Sequence, residues 1–462
     1  MKIVLVYPNL TRLERVTLGI GCISSYLKTR GHECELVDYT WGGDIEDTVE
    51  KVRQTGAKVV GFSVKSGEVN FCVAVARRLK EEFNSTILFG GVHPSVAPED
   101  TIAIDAVDII CKGEGEEATA ELLDNMEEGV VDTSIANLWF KEDGRIIKND
   151  IRFLAQNLDD FPFPDRDLFD TQLYIDRSGT VDIISGRGCP YQCSYCVEPT
   201  YQKIFKGKGK FVRYRSVDNV LKEVADLQRR FEFSRINFVD DVFTIDIRWL
   251  REFSAQYKKH FKIPYTCNAR IEALREESFQ LLKDSGCFSL EMGIESGSER
   301  VREQVLERKM TNQKIIDAFD LARKYGLRTM SFNIIGIPFE TKQDIQETIK
   351  LNRRLDPSSV QVSMFQPYPG TGLHKICKEK GWLTSRSIPV SYFLDTPVSY
   401  PHMSTKEIIR IRRWFRFNVL RKTRLLKSLL VLFYDLNYER FLKFWDYIPG
   451  SIKRLALSYF KG

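Results

Sequence analysis

The sequence shows no long apolar run, no signal-peptide pattern and no cysteine framework, and we expect each of these to exclude a class of protein. No stretch of about 18 apolar residues occurs, so we expect no transmembrane helix. The first residues, Met1 to Pro8, have no signal-peptide pattern and predict the first strand of a domain. Ten cysteines in 462 residues are too few for a disulfide scaffold. Free thiols fit a reducing compartment, so we expect a cytoplasmic protein.

Acidic residues are scarce near the end of the chain. From Pro401 to Gly462 there are 14 Lys and Arg against 4 Asp and Glu, a balance of +10, and the rest of the chain carries −5. Basic residues alternate there with Phe, Trp and Leu. A helix with an apolar stripe usually packs it onto the domain, so we expect Trp414, Phe415 and Leu426 to be buried. The alternative is a face that contacts an anionic membrane surface or covers a lipophilic substrate. No motif supports a nucleic-acid partner.

Three cysteines, Cys189, Cys193 and Cys196, follow a strand-like stretch with C-x₃-C-x₂-C spacing. Three thiolates this close can hold one face of an iron–sulfur cluster and leave the fourth iron without a protein ligand. A closed zinc site would need a fourth Cys or His nearby, and the local sequence has neither. The motif therefore predicts an open iron at which a small molecule can bind and react.

This motif, with its glycine and aromatic neighbours, resembles the radical S-adenosylmethionine (SAM) enzymes. In that family the open iron of a [4Fe–4S] cluster is chelated by the amino and carboxylate groups of SAM. One electron from the cluster cleaves SAM to methionine and a 5′-deoxyadenosyl radical. The resemblance also implies an electron donor such as flavodoxin or ferredoxin. The alternative of three unrelated loop thiols is disfavoured by the downstream sequence.

Strands alternate with helices in two series, which predicts an α/β protein with parallel sheets. Residues 1–130 have the pattern of a flavodoxin-like (Rossmann-type) domain. Residues 131–176 are predicted to be a connector, because residues 157–165 within them are rich in Pro and acidic residues and favour an extended crossing. Six strand–helix units in residues 177–385 resemble the partial (β/α)₆ barrel of radical SAM enzymes. Residues 386–462 are predicted to form a basic helical C-terminal region.

Polar motifs follow the strands of the second series, where barrels place their chemistry. The turns after the fourth strand also hold Arg300 and Lys309. In radical SAM relatives the corresponding positions lie beside the methionine, ribose and adenine parts of SAM. The alternatives are a helix cap for Asp240 or Asp241 and a surface salt bridge for Arg270. The resemblance implies SAM contacts from Tyr195, Asp240, Asp241, Arg270, Glu295, Ser296 and Gly336.

The strands of the first series end in glycine-rich turns, and parallel sheets bind ligands at such ends. Glycine there lets the backbone approach a ligand closely. Gly-Gly-x-His-Pro and Gly-Glu-Gly-Glu resemble the cobalamin-binding domain that precedes many radical SAM domains. The alternative is a nucleotide-binding or purely structural flavodoxin-like domain. The resemblance implies cobalamin contacts from Ser63, Gly90, Gly91, His93, Gly113 and Glu114.

One departure from the cobalamin pattern concerns the lower ligand of cobalt. Many cobalamin domains carry Asp-x-His-x-x-Gly after the first strand, and its His replaces the lower base. Here Pro8 to Arg15 follow that strand, and the first histidine in the chain is His32. We therefore expect cobalamin without a histidine ligand from that motif, and we expect His93 to be a turn or tail contact.

Together the two resemblances imply methyl transfer to an unactivated carbon of a small-molecule or lipid-like substrate, through a 5′-deoxyadenosyl radical and methylcobalamin. Cobalamin-assisted oxidation or cyclisation is an alternative, as in the anaerobic magnesium-protoporphyrin ester cyclases. A non-catalytic cobalamin-binding sensor or scaffold is an alternative of another class. Methylthiolation enzymes carry a second Cys triad upstream of the first, and the four upstream cysteines here are too scattered to form one.

Overall fold

The computed structural model describes residues 1–83 and 85–438, which form two compact units. None of the helices in these ranges is both long enough and apolar enough to cross a membrane. The first unit consists of Met1–Tyr174, Val197–Arg213 and Tyr368–Gly370, and the second of Ile175–Cys196, Tyr214–Pro367 and the chain from Thr371 onward.

The first unit contains a seven-stranded sheet with the order β2-β1-β3-β4-β5-β6-β7. The first five strands are parallel, and the last two are antiparallel. The last two come from the segment predicted to be a connector. The strands are β1 (Lys2–Tyr7), β2 (Glu33–Asp38), β3 (Val59–Ser63), β4 (Thr86–Gly90), β5 (Ile109–Cys111), β6 (Leu138–Glu142) and β7 (Arg145–Lys148).

Helices cover both faces of this sheet, which explains its nearly continuous apolar strands. In β1, Val4 and Val6 pack with Val75, whereas Ile3 and Leu5 pack on the other face. The helices are α1 (Leu18–Thr29), α2 (Ile45–Thr55), α3 (Val69–Phe83), α4 (Val92–Val96), α5 (Pro98–Ile102) and α6 (Glu116–Glu127).

The chain continues with short elements and then the second sheet. These short elements are α7 (Thr171–Ser178), β9 (Gly186–Arg187), α8 (Glu198–Ile204) and β10 (Arg213–Tyr214). The second sheet contains β8 (Thr180–Ile183), β11 (Arg235–Phe238), β12 (Tyr265–Ala269), β13 (Cys287–Glu295), β14 (Arg328–Ile335) and β15 (Ser359–Met364).

These six strands are parallel and adjacent in chain order, with β8 and β15 at the two edges. Parallel strands that follow one another in chain order are the arrangement of a (β/α) barrel, so the predicted partial barrel is confirmed. All of its carboxyl ends meet at one edge, where the polar motifs lie. Its helices are α9 (Val217–Arg230), α10 (Ile247–His260), α11 (Glu276–Asp284), α12 (Asn312–Lys324), α13 (Lys342–Leu355) and α14 (Gly372–Glu379).

Two helices, α15 (Thr405–Leu420) and α16 (Leu425–Leu436), complete the second unit. Ser404 caps α15 in a capping box with Glu407. The burial prediction is right for Phe415, which is fully buried in a core cluster with Ile335. It is wrong for Trp414 and Leu426, which are 40% and 78% exposed.

The reason is that α16 buries its other side. Its buried residues are Ser428, Val431 and Asp435, so Leu426 points away from the domain. Residues 439–462 of the predicted C-terminal region lie outside the described residues.

Candidate functional site

The three cysteines of the C-x₃-C-x₂-C motif lie in a loop that follows the first strand of the second sheet. Cys189 and Cys193 are buried, Cys196 is partly buried, and none of the three forms a disulfide. Ser194 anchors the loop, since its N–H donates to Leu306 O at 3.3 Å and its Oγ donates to Val305 O at 2.5 Å. The loop is thus held against the segment that follows β13.

Arg270, directly after β12, contacts the cysteine loop and could interact with a bound cluster. Its Nη1 donates to Cys193 Sγ at 2.8 Å, and its guanidinium stacks on the Tyr191 ring at 3.6 Å. Its Nη2 donates to Glu272 Oε1 at 2.8 Å. A buried cation beside a cysteine sulfur stabilises negative charge there, as an iron–sulfur cluster requires. The three closely spaced cysteines and this cation fit such a cluster. Across the described residues, no three His, Cys, Asp or Glu side chains form a single-ion site.

A buried ion network continues from Arg270 into the site. Arg308 Nη1 donates to Glu295 Oε1 at 2.8 Å, and Arg308 Nη2 lies 3.5 Å from Glu272 Oε2. The Tyr195 hydroxyl donates to Glu295 Oε1 at 3.1 Å. The network thus joins Cys193 to Tyr195 through two arginines and two glutamates. Glu272 and Arg308 were not predicted from the sequence as site residues.

Burial and ion pairing oppose each other in this network. Burial raises the pKa of Glu295, and the nearby Arg308 charge only partly offsets it. Burial also raises the pKa of Glu272, but the charges of Arg308 and Arg270 outweigh burial, so the pKa of this carboxyl is lowered. Glu295 also has φ +64°, a left-handed conformation that non-glycine residues seldom adopt. Strain of this kind at a buried carboxylate points to a binding role.

The two aspartates after β11 have different environments. Asp240 is buried and accepts hydrogen bonds from Ser185 N at 3.1 Å and Ser185 Oγ at 2.7 Å. Burial raises the pKa of Asp240 to about 6. Asp241 is exposed, although the surrounding protein still raises the pKa of its carboxyl. Asp240 therefore joins the ends of β8 and β11, and Asp241 is the one that a ligand can reach.

Ser296 and Gly336 sit where β13 and β14 end. Ser296 is fully buried, and its Oγ lies 3.4 Å from Thr348 Oγ1. Gly336 has φ +73°, and a Cβ there would approach Ile408 of α15 to 2.9 Å. The C-terminal helix thus packs directly on this glycine.

The backbone of Gly336 is fixed from two sides. Its N–H donates to Glu340 Oε2 at 2.7 Å, and its carbonyl accepts from the Tyr400 hydroxyl at 2.7 Å. Burial raises the pKa of Glu340 to about 8. Glu340 lies four residues after Gly336, and its role as a support for the turn was not predicted from the sequence.

In the first unit, the structure brings the glycine turns together at the carboxyl ends of β3, β4 and β5. Ser63 pairs in register with Gly90. Gly91 has φ +97°, and a Cβ there would approach Val64 N to 3.0 Å. Ser95, which the sequence analysis missed, donates from Oγ to Gly91 O at 2.8 Å and accepts from Gly113 N at 3.0 Å.

Glu114 and His93 have partners within the same unit. Glu114 forms an ion pair with the buried Arg213. His93 N donates to Val64 O at 3.0 Å, and its Nδ1 lies 3.1 Å from Ser66 Oγ. Burial lowers the pKa of His93, which favours a neutral imidazole. Both side chains are therefore built into the turns they belong to.

Asn9 lies two residues after the end of β1; it is buried and donates from Nδ2 to Thr40 Oγ1 at 2.8 Å. His32 immediately precedes β2, and its Nε2 lies 3.0 Å from Asp124 Oδ1. In the loop after β3, Glu68 is buried with Oε1 3.3 Å from Lys65 Nζ. Its Oε2 is buried and has no hydrogen-bond partner within the described residues. An orphaned acceptor at this end of the sheet fits a ligand edged with amide N–H donors, as a corrin is.

Two protein-family models match the chain. The B12 binding domain matches residues 12–123, and the radical SAM superfamily matches residues 183–351. The chain therefore carries a B12-binding domain followed by a radical SAM domain. The first match covers the glycine turns, and the second covers the cysteine loop and the ion network.

Curated relatives align over most of the chain. An uncharacterized methyltransferase of Pyrococcus horikoshii is 28% identical over 89% of this chain and 91% of its own. The cytidylyl-2-hydroxyethylphosphonate methyltransferase of Streptomyces wedmorensis is 23% identical, with 83% and 82% covered. The anaerobic magnesium-protoporphyrin IX monomethyl ester cyclase of Rubrivivax gelatinosus is 22% identical, with 82% and 70% covered.

Solved structures share the fold. The radical SAM methyltransferase TsrM of Kitasatospora setae superposes with a TM-score of 0.69 at 19% identity, over 83% of this chain and 77% of its own. The cobalamin-dependent SAM radical enzyme OxsB gives a TM-score of 0.71 at 15% identity, over 96% and 72%. The predicted domain order, a B12-binding domain followed by a radical SAM domain, is therefore confirmed.

Proposed function

We propose that this chain is a cobalamin-dependent radical SAM methyltransferase acting on an unactivated carbon of a small-molecule or lipid-like substrate. The observation that carries the proposal is the Cys189–Cys193–Cys196 loop with Arg270 bonded to a cysteine sulfur, in a chain that also has a B12-binding domain. Its cofactors would be a [4Fe–4S] cluster, SAM and cobalamin. The methyltransferases among its relatives support transfer of a methyl group.

The residues of the second unit have separate roles in this proposal. The three cysteines would ligate the cluster, and Arg270 would hold the sulfur of Cys193. The exposed carboxylate of Asp241 would accept hydrogen bonds from the SAM ammonium. Glu295, held by Tyr195 and Arg308, would accept from the ribose hydroxyls. The cofactors supply one-electron SAM cleavage, hydrogen-atom abstraction and methyl delivery; the protein orients them and excludes water.

In the first unit, the turns after β3, β4 and β5 would hold cobalamin. Ser95 fixes the two glycine turns by bonding Gly91 and Gly113. Glu68 would present its unpaired Oε2 to the amide rim of the corrin. No histidine would ligate cobalt from below, because Asn9 follows β1 and His93 is bonded to Ser66.

Isotope tracking tests methyl transfer. The anaerobically reconstituted chain, supplied with cobalamin, a reductant and SAM with a deuterated methyl group, should form S-adenosylhomocysteine and move label into the cobalamin fraction. A Cys193→Ala chain should still load cobalamin but make no 5′-deoxyadenosine. Cobalamin binding without any transfer of label would contradict a methyltransferase.

The cyclase relative makes cobalamin-assisted oxidation or cyclisation the second candidate. The two reactions differ in their products, since only methyl transfer consumes a SAM methyl group per turnover. With a candidate substrate, 5′-deoxyadenosine without S-adenosylhomocysteine would favour oxidation or cyclisation.

A further inference from the structure

The exposed face of α16 is apolar along its whole length. Its six large apolar side chains are between 46% and 78% exposed. They recur at a spacing that places them on one side of the helix. These residues are Leu425, Leu426, Leu429, Leu430, Phe433 and Leu436.

The opposite face of the same helix is buried and includes a charged residue. Asp435 is fully buried, and its carboxylate pairs with Arg412 at 3.0 Å and Arg416 at 2.6 Å, both from α15. Surface helices of soluble domains usually show the reverse, with apolar residues inside and charge outside. The ion pairs fix the orientation of α16, so its leucines cannot rotate inward without breaking a buried carboxylate–arginine cluster.

Positive charge lies at the start of this apolar face. Arg421 and Lys422, in the link between α15 and α16, are exposed and lie three to four residues before Leu425. From Pro401 onward the chain has 14 Lys and Arg against 4 Asp and Glu. Any partner of the face must therefore approach through a positive field, which favours an anionic partner. A second copy of the chain would bring an equal positive charge and is disfavoured.

We propose that the α15–α16 hairpin docks on an anionic lipid membrane surface, with the exposed α16 leucines inserted at the interface. Leucine-rich helices edged with Lys and Arg bind in this way. With twelve residues, α16 is too short to cross a bilayer, so it lies along the surface. Arg421 and Lys422 contact lipid phosphates, each adding electrostatic attraction that salt weakens. The inference does not depend on the proposed methyl transfer.

Vesicle flotation with the full-length protein tests this proposal. At low ionic strength, the protein should float with phosphatidylcholine vesicles that contain about 30% phosphatidylglycerol, and bind pure phosphatidylcholine vesicles at least about tenfold more weakly. Leu426→Glu/Leu430→Glu should reduce the partition coefficient for the anionic vesicles by at least about tenfold. Arg421→Glu/Lys422→Glu should weaken it to a similar extent.

Matched controls carry the same changes elsewhere. Val130→Glu/Val131→Glu places two carboxylates on another exposed apolar site, and Lys258→Glu/Lys259→Glu reverses two exposed cations on α10. Both should bind vesicles as the unmodified protein does. Failure of the unmodified protein to float with anionic vesicles would overturn the proposal, and so would equal binding by Leu426→Glu/Leu430→Glu. A dimer in solution that the leucine variant dissociates would assign the face to a second copy instead.

Discussion

Replacement of Arg270 by Met should lower the reduction potential of the cluster. The Arg270 guanidinium is buried and donates to Cys193 Sγ at 2.8 Å, with Tyr191 stacked beneath it. Reduction adds one negative charge to the cluster, so a nearby cation and its hydrogen bond favour the reduced state. Hydrogen bonds to the sulfurs are among the features that set such potentials.

The size of the shift follows from the strength of this bond. A hydrogen bond that involves a charged group contributes about 1.5–3 kcal/mol. We take roughly half of this energy as the extra stabilisation of the reduced cluster over the oxidised one. A difference of about 1.4 kcal/mol between the two redox states corresponds to about 59 mV for one electron. We therefore expect Arg270→Met to lower the potential by several tens of millivolts. Arg270→Lys, which keeps the charge but loses the planar fork, should fall between the two.

The assay is an anaerobic redox titration of the reconstituted protein, followed by electron paramagnetic resonance, with iron and sulfide content matched between variants. Arg248→Met is the control, because that side chain is 85% exposed and solvent screens its charge. An Arg270→Met potential equal to or above that of the unmodified protein would refute the assignment of Arg270 as a cluster partner.

Three further predictions concern the same two units. Arg308→Met should destabilise the protein by about 3–5 kcal/mol in denaturant unfolding, because it leaves Glu295 buried without its cation. Adding Glu295→Gln should recover part of this loss. A double variant whose loss equals the sum of the losses of the two single variants would contradict this. Glu340 has a folded pKa of about 8, above its unfolded value, so stability falls as pH rises toward 8. The free energy of unfolding of Glu340→Gln, relative to that of the unmodified protein, should therefore rise by about 2–3 kcal/mol between pH 6 and pH 9. If this difference between the two proteins does not change with pH, the raised pKa is excluded. Co(II) spectra of cobalamin bound to the protein should lack nitrogen splitting and should not change in His93→Ala; splitting that this variant abolishes would identify His93 as a ligand.

The sequence was sufficient for the order of the domains and the place of the cysteine loop, since both depend on local patterns. Alternating strands and helices predict parallel sheets, and C-x₃-C-x₂-C identifies the loop. The residues that fix the site were harder to predict because their partners are distant in the chain. Arg308 reaches Tyr195, more than a hundred residues away. The sequence analysis selected its exposed neighbour Lys309, since two adjacent cations have no local feature that shows which one points inward.

The C-terminal helices show a second limit of pattern-based prediction. An apolar stripe predicts a buried face only when the charged side chains of the helix point to solvent. In α16 the charged Asp435 is buried and the apolar stripe is exposed. Its buried face is set by Asp435, which pairs with Arg412 and Arg416. That pairing depends on the angle of the α15–α16 turn, and nothing in the local sequence encodes it. Leu426 is exposed as a result.

SAM cleavage by the reconstituted chain tests the central claim most directly. Anaerobic protein with iron, sulfide, a reductant and SAM should form 5′-deoxyadenosine, measured by mass spectrometry. Cys193→Ala should abolish this product because it removes one of three ligands of the cluster. Cys34→Ala, a change of equal size at a partly buried thiol of the other unit, should leave it intact. Formation of 5′-deoxyadenosine at the normal rate by the Cys193→Ala protein would contradict the account.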